Sequence, residues 1–384
     1  MKKYLVITPW CPYPPHKNGG IHTMYNILLN HPKDISIDLF YYSEKDDFAE
    51  NHITMICKKI THKKLFIAPN IFSRLRAFIS GTPGPLAWVS NFDAIPEINY
   101  DDYDVVILDQ IQSLVFAKYI PSHVNVISMM HDNHILIYRR RRAKVRNPLK
   151  KLYFFCQCLF LKGFEKKIFP KMNKIVYVSE YDASLSRRMY PKFNTRFTNI
   201  VLGVNKQNIP ISKKTPHTLV FSGIMNYPPN EDAALFFAKE VFPKIKEKYS
   251  DTIFSIVGKN PTNKILALKN VDGITVTGFV DDIGKEISKS AIYVSPLRFG
   301  AGMKNKVLEA MAVGLPVIAS SVSREGITGL SDYNNCIFAD ESNWTEKVIQ
   351  LMQEDSLREK VAHNGNQYVL KHHSWENVFD AFLV

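Results

Sequence analysis

The chain has 384 residues, of which 46% are hydrophobic, and its formal net charge is +13 at pH 7. This size and apolar content exceed what one hydrophobic core usually accommodates, so we expect two domains. The five cysteines are odd in number and scattered, without Cys-x-x-Cys or paired His spacing for zinc, so reduced thiols in an intracellular protein are the simpler interpretation.

The first apolar run breaks at Pro9 and therefore predicts a β-strand rather than a signal peptide. No later run approaches the roughly 20 apolar residues that span a bilayer. Strand-like runs rich in β-branched residues alternate with longer helical stretches at 4–8, 35–41, 105–108, 124–128 and 174–178. This alternation predicts a buried parallel sheet.

A polar stretch at 206–217 separates this series from a second one. The later runs lie at 219–222, 253–257, 274–277, 292–294 and 317–319. We therefore predict two α/β domains with parallel sheets, at 1–205 and 206–370. Residues 371–384 predict a terminal helix, because Ser374 is a capping-type residue and helical apolar spacing follows it.

The segment 295–320 predicts a strand, a glycine loop, a helix and a further strand. Gly300 and Gly302 lead into the helix, whose first N–H groups lack intrahelical partners, so a phosphate fits over residues 301–304. Glu309 is an acceptor placed to hold the hydroxyl pair of a ribose, and Lys306 supplies positive charge nearby. By itself an ordinary crossover is the better reading, because no third glycine completes a dinucleotide fingerprint.

The surrounding residues strengthen the functional reading. Residues 308–312, LEAMA, with Gly314, Pro316 and Val317, resemble the nucleotide-sugar site of family 4 glycosyltransferases. Further motifs resemble family landmarks in the same order: Pro12 to Pro15 with Gly19-Gly20, Gly203-Val204-Asn205, Phe221-Ser222-Gly223, and Gly278-Phe279-Val280. The resemblance implies a B-type architecture of two Rossmann-like domains whose parallel sheets face each other across a cleft. It also implies a terminal segment that packs back on the first domain.

The resemblance implies where each ligand binds. The donor nucleotide sugar is expected on the C-terminal domain, at Gly223, Gly278, Phe279, Val280, Gly300, Ala301, Gly302, Met303, Lys304 and Glu309. The acceptor side is expected at Gly19, Gly20 and Asp109. His131 follows a predicted strand and matches the family histidine that contacts the donor sugar, although a structural histidine at a strand end is the alternative.

The chain departs from the family pattern at two places. Ala301 stands where most members carry a second glutamate, so Glu309 lacks its usual partner. The loop 223–230 lacks the Arg and Lys that many members use against the diphosphate. Arg298, Lys304 and Lys306 are the available substitutes, and a solvated basic face is the alternative for them.

Transfer of this kind needs alignment of the acceptor hydroxyl and stabilisation of the leaving diphosphate. Helix N-termini and lysines can supply both, so we expect no metal and no cofactor besides the donor substrate. The paired acids at Asp101-Asp102, Asp281-Asp282 and Asp46-Asp47 are expected in caps or turns.

The segment that begins at Arg139 and ends at Lys174, here called the basic segment, carries 13 Lys and Arg against the single Glu165. Its aromatic and apolar middle predicts an interfacial helix on an anionic membrane, where lipid-linked acceptors reside. A helix with one face in the core is the alternative.

We therefore interpret the chain as a glycosyltransferase of polysaccharide or surface-glycan assembly, cytoplasmic or peripheral on the inner face of the cytoplasmic membrane, and retaining if the family's stereochemistry applies. A nucleotide-sugar epimerase of the same fold is the alternative within enzymes. A basic nucleic-acid-binding protein is the alternative from another class. The sequence has no recognisable motif of a nucleic-acid-binding domain, which argues against it.

Overall fold

The computed structural model describes residues 1–13, 19–43, 52–65, 70–89, 98–204 and 217–383. The chain divides into two compact units, one of Met1–Val201 with Trp375–Val384 and one of Leu202–Ser374. The sequence placed this division four residues later, after Asn205. Asn205 itself, the polar stretch up to residue 216, and the motif residues Pro14, Pro15, Asp46 and Asp47 lie outside the described residues.

The first unit contains seven strands that pair in parallel in the order β3-β2-β1-β4-β5-β6-β7. The strands are β1 (Lys2–Thr8), β2 (Ile35–Tyr41), β3 (Lys59–His62), β4 (Val105–Asp109), β5 (Asn125–His131), β6 (Lys174–Tyr177) and β7 (Phe197–Asn199). The helices are α1 (Gly19–Leu29), α2 (Ile53–Ile56), α3 (Ile71–Ile79), α4 (Gln110–Ser113), α5 (His134–Lys144), α6 (Pro148–Ile168) and α7 (Glu180–Met189).

The second unit repeats this plan with six parallel strands in the order β10-β9-β8-β11-β12-β13. The strands are β8 (Thr218–Ser222), β9 (Ile253–Val257), β10 (Ile274–Gly278), β11 (Ile292–Ser295), β12 (Val317–Ala319) and β13 (Ile337–Phe338). The helices are α8 (Pro228–Phe236), α9 (Phe242–Lys248), α10 (Asn263–Leu266), α11 (Ile283–Ile287), α12 (Asn305–Ala312), α13 (Ser321–Arg324), α14 (Trp344–Gln353) and α15 (Asp355–His372), and a π-helical turn at Phe237–Val241 joins α8 to α9.

The predicted fold class, two Rossmann-like α/β domains, is confirmed. Every predicted strand run overlaps an observed strand, and β2 is buried along its whole length, as a strand covered by helices on both faces must be. Each unit has its own apolar core on its sheet. Ligands of such sheets bind outside the carboxyl ends of the strands, so those ends are where a site is to be sought.

The terminal segment differs in kind from the predicted helix. Helix α15 ends at His372, and the residues beyond it form a short 3₁₀ helix at Val378–Phe382. Asn377 has a φ of 62°, a left-handed conformation that interrupts the helical run after Ser374. The segment lies on the first unit, where the ring of Phe379 is 5.8 Å from that of Tyr4.

Within the described ranges, no helix is long and apolar enough to cross a membrane. All five cysteines are free thiols. Of the paired acids, Asp282 caps α11 by accepting from the Lys285 N–H at 2.9 Å.

Candidate active site

Three neighbouring strands of the second unit end in glycines. Gly223 follows β8, Gly258 follows β9, and Gly278 ends β10. The Gly223 N–H donates to Val257 O at 3.0 Å, and the Gly258 N–H donates to Gly278 O at 3.2 Å. A Cβ on Gly258 would stand 1.8 Å from Gly223 O, so no side chain fits there. The floor of this edge is therefore made of backbone, and we call it the glycine floor.

Lys306 lies over this floor from the first turn of α12. Its Nζ hydrogen-bonds Asn230 Oδ1 and stands 4.7 Å from the centre of the Phe221 ring. A Cβ on Gly223 would come within 2.9 Å of the same nitrogen. Burial and the neighbouring charge of Lys304 lower the pKa of Lys306 to about 7, against the opposing effect of Glu309. The ammonium is thus poorly compensated and suited to an incoming anion.

Glu309 follows Lys306 by one turn of α12 and is half-buried. Burial raises the pKa of its carboxyl, and the Lys306 charge opposes this shift. Burial, and with it the charge of Glu309, raises the pKa of Tyr293, whose hydroxyl bonds the Ser222 hydroxyl at 2.9 Å. Glu309 therefore faces the end of β8, on the same side as Lys306.

The glycine loop before α12 is closed by its own lysine. The Lys304 ammonium is buried and donates to the carbonyls of Ala301 and Gly302. As the N-cap residue of α12, Lys304 makes no side-chain cap hydrogen bond. The N-cap side chain therefore does not occupy the start of α12, which follows the loop over which a phosphate is predicted, at residues 301–304.

Arg298, the third predicted cation, is engaged elsewhere. Its guanidinium forms a bidentate pair with Asp232, at 2.8 Å and 2.5 Å, and lies 4.8 Å from the centre of the Phe236 ring. This pairing raises the pKa of Arg298, although burial opposes it. The cavity beside it, about 340 Å³, is lined by Glu240 and Trp344 among others. Arg298 thus belongs to a different polar group from Lys306.

The first unit brings together residues from three adjacent strand ends. The Thr8 hydroxyl donates to Asp109 Oδ2 at 2.7 Å, and Asp109 Oδ1 lies 2.7 Å from His131 Nε2. These residues end β1, β4 and β5, which are neighbours in the sheet. Burial lowers the pKa of His131, but the charge and hydrogen bond of Asp109 outweigh it and raise the pKa overall.

The backbone at this edge is held in an uncommon conformation. His131 has a φ of 57° and Gln110, which follows Asp109, a φ of 63°. Left-handed backbone at residues other than glycine costs energy and concentrates at functional sites. Two such residues beside one buried carboxylate mark this edge as a candidate site in its own right.

The remaining predicted residues take simpler positions. Gly278 has a φ of 76°, and the side chain of Phe279 beyond it is 60% exposed, with Val280 half-buried. Gly19 and Gly20 begin α1, and a Cβ on Gly19 would meet nothing within 4 Å. Glycine is therefore not required sterically at position 19.

Sequence reasoning gave no site role to three members of these groups, Asn230, Gly258 and Thr8, although Asn230 and Gly258 lie in motifs that resemble family landmarks. Asn230 is 6% exposed, donates to Ile224 O at 3.0 Å and bonds Lys306 across 76 positions. The motif that contains Asn230 was noted, but its pairing with Lys306 has no local signal. Thr8 has no sequence feature that sets it apart from other strand residues, because its contact with Asp109 arises only from the pairing of β1 with β4.

Comparison with known proteins bears on these units. The glycosyltransferase WaaG, described as involved in lipopolysaccharide biosynthesis, superposes with a TM-score of 0.65 at 12% identity, over 99% of this chain and 98% of WaaG. The Anabaena protein HepE, solved in complex with UDP-glucose, gives a TM-score of 0.64 at 10% identity, over 99% of this chain and 98% of HepE. The fold is the B-type glycosyltransferase fold.

Sequence comparison agrees with this fold. Residues 216–354 match the model of a family described as Glycosyl transferases group 1. An uncharacterized 44.6 kDa protein in the cps region of Klebsiella pneumoniae is 21% identical over 412 residues, which cover 100% of this chain and 99% of that protein. The glycine floor, Lys306 and Glu309 all lie within the part that matches the family model.

Proposed function

We propose that the protein is a glycosyltransferase that moves a sugar from a nucleotide-sugar donor to a glycan or lipid-linked acceptor. The observation that carries this proposal is Lys306, a half-buried cation held over the glycine floor by Asn230. Lys306 and the glycine floor lie inside the segment that matches the group 1 glycosyltransferases, which supports a role in binding an anionic donor. HepE, a protein of the same fold, binds UDP-glucose, which supports a nucleotide-sugar donor.

In this proposal the donor diphosphate lies against the uncapped start of α12 and the ammonium of Lys306. The backbone N–H groups and the helix dipole favour negative charge there. Glu309 accepts hydrogen bonds from the ribose hydroxyls. As the sugar leaves, negative charge grows on the diphosphate, and a preorganised cation stabilises that charge more than it stabilises the ground state.

The first unit supplies the acceptor side in the same proposal. His131, whose pKa Asp109 raises, donates a hydrogen bond to a sugar hydroxyl, and Asp109 fixes the ring. Gly19 and Gly20 remain acceptor-side candidates by resemblance. Ala301 brings no carboxylate to the sugar, so the donor contacts must come from other residues. Retention of stereochemistry is proposed from the family resemblance.

The biological setting follows from the relatives. The Klebsiella protein is described by its place in a cps region, and WaaG by its involvement in lipopolysaccharide biosynthesis. Both support a role in polysaccharide or surface-glycan assembly. The product anomer, read by NMR, would test retention once an acceptor is found.

The proposal is tested first with a panel of nucleotide sugars, starting from UDP-glucose. A donor that binds only the folded state raises the melting temperature by mass action. Release of the nucleotide is then measured with and without glycan acceptors. Acceptor-dependent release supports a transferase, whereas conversion of the donor sugar without acceptor supports the epimerase alternative. No stabilisation by any nucleotide sugar, together with tight binding of RNA or DNA at moderate salt, would overturn the proposal.

A further inference from the structure

Two helices of the first unit turn large apolar side chains outward. On α3 none of the described residues is buried, and Ile71, Phe72 and Ile79 are each more than three-quarters exposed. On α6 the exposed apolar side chains include Leu149 at 76% and Leu152 at 58%. A few scattered apolar residues on a surface are ordinary, but contiguous ones mark an interaction site.

The two helices lie side by side, which makes their exposed residues one surface. The ring of Phe78 on α3 is 5.7 Å from that of Tyr153 and 5.6 Å from that of Phe160, both on α6. We call this surface the apolar face. It consists of the exposed side chains of Ile71, Phe72, Leu75, Ile79, Leu149, Leu152, Tyr153, Phe155 and Leu159.

Helix α6 buries two polar residues, Gln157 and Glu165, on its inner side. Its buried residues are Gln157, Leu161, Glu165 and Ile168. Leu152 and Leu159, at helical spacing on the opposite side, are exposed. Gln157 accepts from the Gly84 N–H at 2.7 Å, and Glu165 accepts from the Tyr190 hydroxyl at 2.5 Å. These bonds fix the orientation of the helix, so the leucines point outward because the inner polar groups have specific partners.

Many basic residues are exposed on and beside the two helices of the apolar face. The exposed basic residues on and beside the two helices are Arg74, Arg76, Arg139, Arg142, Lys144, Arg146, Lys150, Lys151, Lys162, Lys166 and Lys167. The single acidic residue of the basic segment, Glu165, is buried, and burial raises its pKa to about 7. Exposed apolar and exposed basic side chains thus occupy the same two helices and the residues beside them.

We propose that the apolar face docks on an anionic membrane, with the leucines in the interface and the basic residues over the lipid phosphates. A second copy of the chain would bring two surfaces of the same positive charge together, which is unfavourable. A nucleic acid would satisfy the charges but leave the leucines in water. An anionic lipid surface suits both features, as it does for interfacial amphipathic helices.

This inference concerns a surface separate from the donor site and does not rest on the proposed activity. The test is flotation of the full chain with vesicles of neutral phosphatidylcholine, and with vesicles that also contain phosphatidylglycerol. We expect binding to the anionic vesicles that is lost at high salt, because the attraction is screened. Wild-type protein that stays unbound with anionic vesicles at low salt would overturn the proposal.

Two sets of variants separate charge from apolar contact. Lys150, Lys151 and Arg146 are changed to Gln, and a matched set of exposed lysines on the second unit, Lys239, Lys264 and Lys269, serves as the control. Each basic residue near an anionic surface contributes on the order of fivefold in affinity, so the first set should weaken binding on the order of a hundredfold. Equal weakening by both sets would show a nonspecific charge effect and overturn the proposal.

The second set changes Leu149, Leu152 and Phe72 to Ser, with exposed Leu266 of the second unit changed to Ser as the control. Because these side chains are exposed, thermal stability should be unchanged while vesicle binding falls at least tenfold. Full vesicle binding by the triple variant would overturn the apolar contact. Sedimentation that shows a wild-type dimer, dissociated by the triple variant, would assign the face to a second copy instead.

Discussion

The depressed pKa of Lys306 predicts that donor affinity depends on pH. A nucleotide sugar carries two phosphate charges that stay constant near neutrality, whereas Lys306, with its pKa of about 7, loses its proton. The diphosphate favours the charged lysine and raises its pKa in the complex, so donor binding above pH 7 takes up a proton. With that pKa, the protonated fraction falls about 25-fold between pH 6.5 and 8.5, which corresponds to roughly 2 kcal/mol of binding free energy.

The measurement is the dissociation constant of UDP-glucose, or of the best donor in the panel, by titration calorimetry at pH 6.5, 7.5 and 8.5. Repeating the titration in buffers of different ionisation enthalpy counts the protons taken up. Lys306→Gln should bind weakly with a flat profile. Lys306→Arg keeps the charge and should also be flat. A wild-type affinity that is constant over this range, or a slope that persists in Lys306→Gln, would refute the reasoning.

Further predictions concern single residues. Truncating Lys306 to Ala should lower turnover by about 10²–10³-fold, as loss of a preorganised donor does in other enzymes. Glu309→Gln should weaken donor binding by about 1.5–3 kcal/mol, and unchanged affinity in calorimetry would remove it from the ribose site. Because its pKa is raised, His131 stabilises the fold below about pH 6.5, and this stabilisation is lost as the pH rises through the folded pKa. Asp109→Asn should therefore lower the free energy of unfolding by about 1.5–3 kcal/mol at pH 6 and flatten its pH dependence, both measured by urea melts. Glu165 has a pKa of about 7 in the fold, so its ionisation destabilises the fold increasingly as the pH rises above its unfolded pKa. The free energy of unfolding of Glu165→Gln, relative to wild type, should therefore rise by about 2 kcal/mol between pH 5.5 and 8.5. If the same melts show no such rise, other groups stabilise the buried carboxylate.

The central strands were predictable because burial on both faces leaves a plain signature. Strands such as β2 and β9 are mostly apolar, with Ser36, Asp38 and Ser255 as the exceptions, and their observed bounds match the predicted ones. The three strands that were missed, β3, β7 and β13, are all at sheet edges. Edge strands are short, and less of their surface is buried, so they need fewer apolar residues. The sequences of β3 (KITH) and β7 (FTN) therefore lack the apolar run that marks a central strand.

The sequence predicted where the candidate site residues lie along the strands and helices, but not which side chains pair with each other. The sequence alone placed Asp109 and His131 at strand ends and Glu309 on the helix after the glycine loop, and the structure has them there. Which groups meet depends on register between strands and on packing of helices. Lys306 therefore pairs with Asn230, and Arg298 with Asp232, for reasons that no local spacing expresses.

The orientation of α6 had the same limit. Its middle is apolar on almost every side, so the pattern did not indicate which side faces the core. The buried hydrogen bonds of Gln157 and Glu165 decide it, and their partners Gly84 and Tyr190 are 73 and 25 positions away.

The glycine floor has a consequence for any attempt to change the proposed donor specificity. Gly223 O fills the space beside Gly258, so a side chain at Gly258 would disturb the strand ends, and a side chain at Gly223 would displace Asn230 and Lys306. A mutagenesis library aimed at a new base or sugar should keep both glycines fixed. It should vary instead the side chains at the rim, such as exposed Phe279 and half-buried Met303, whose replacement leaves the strands unchanged.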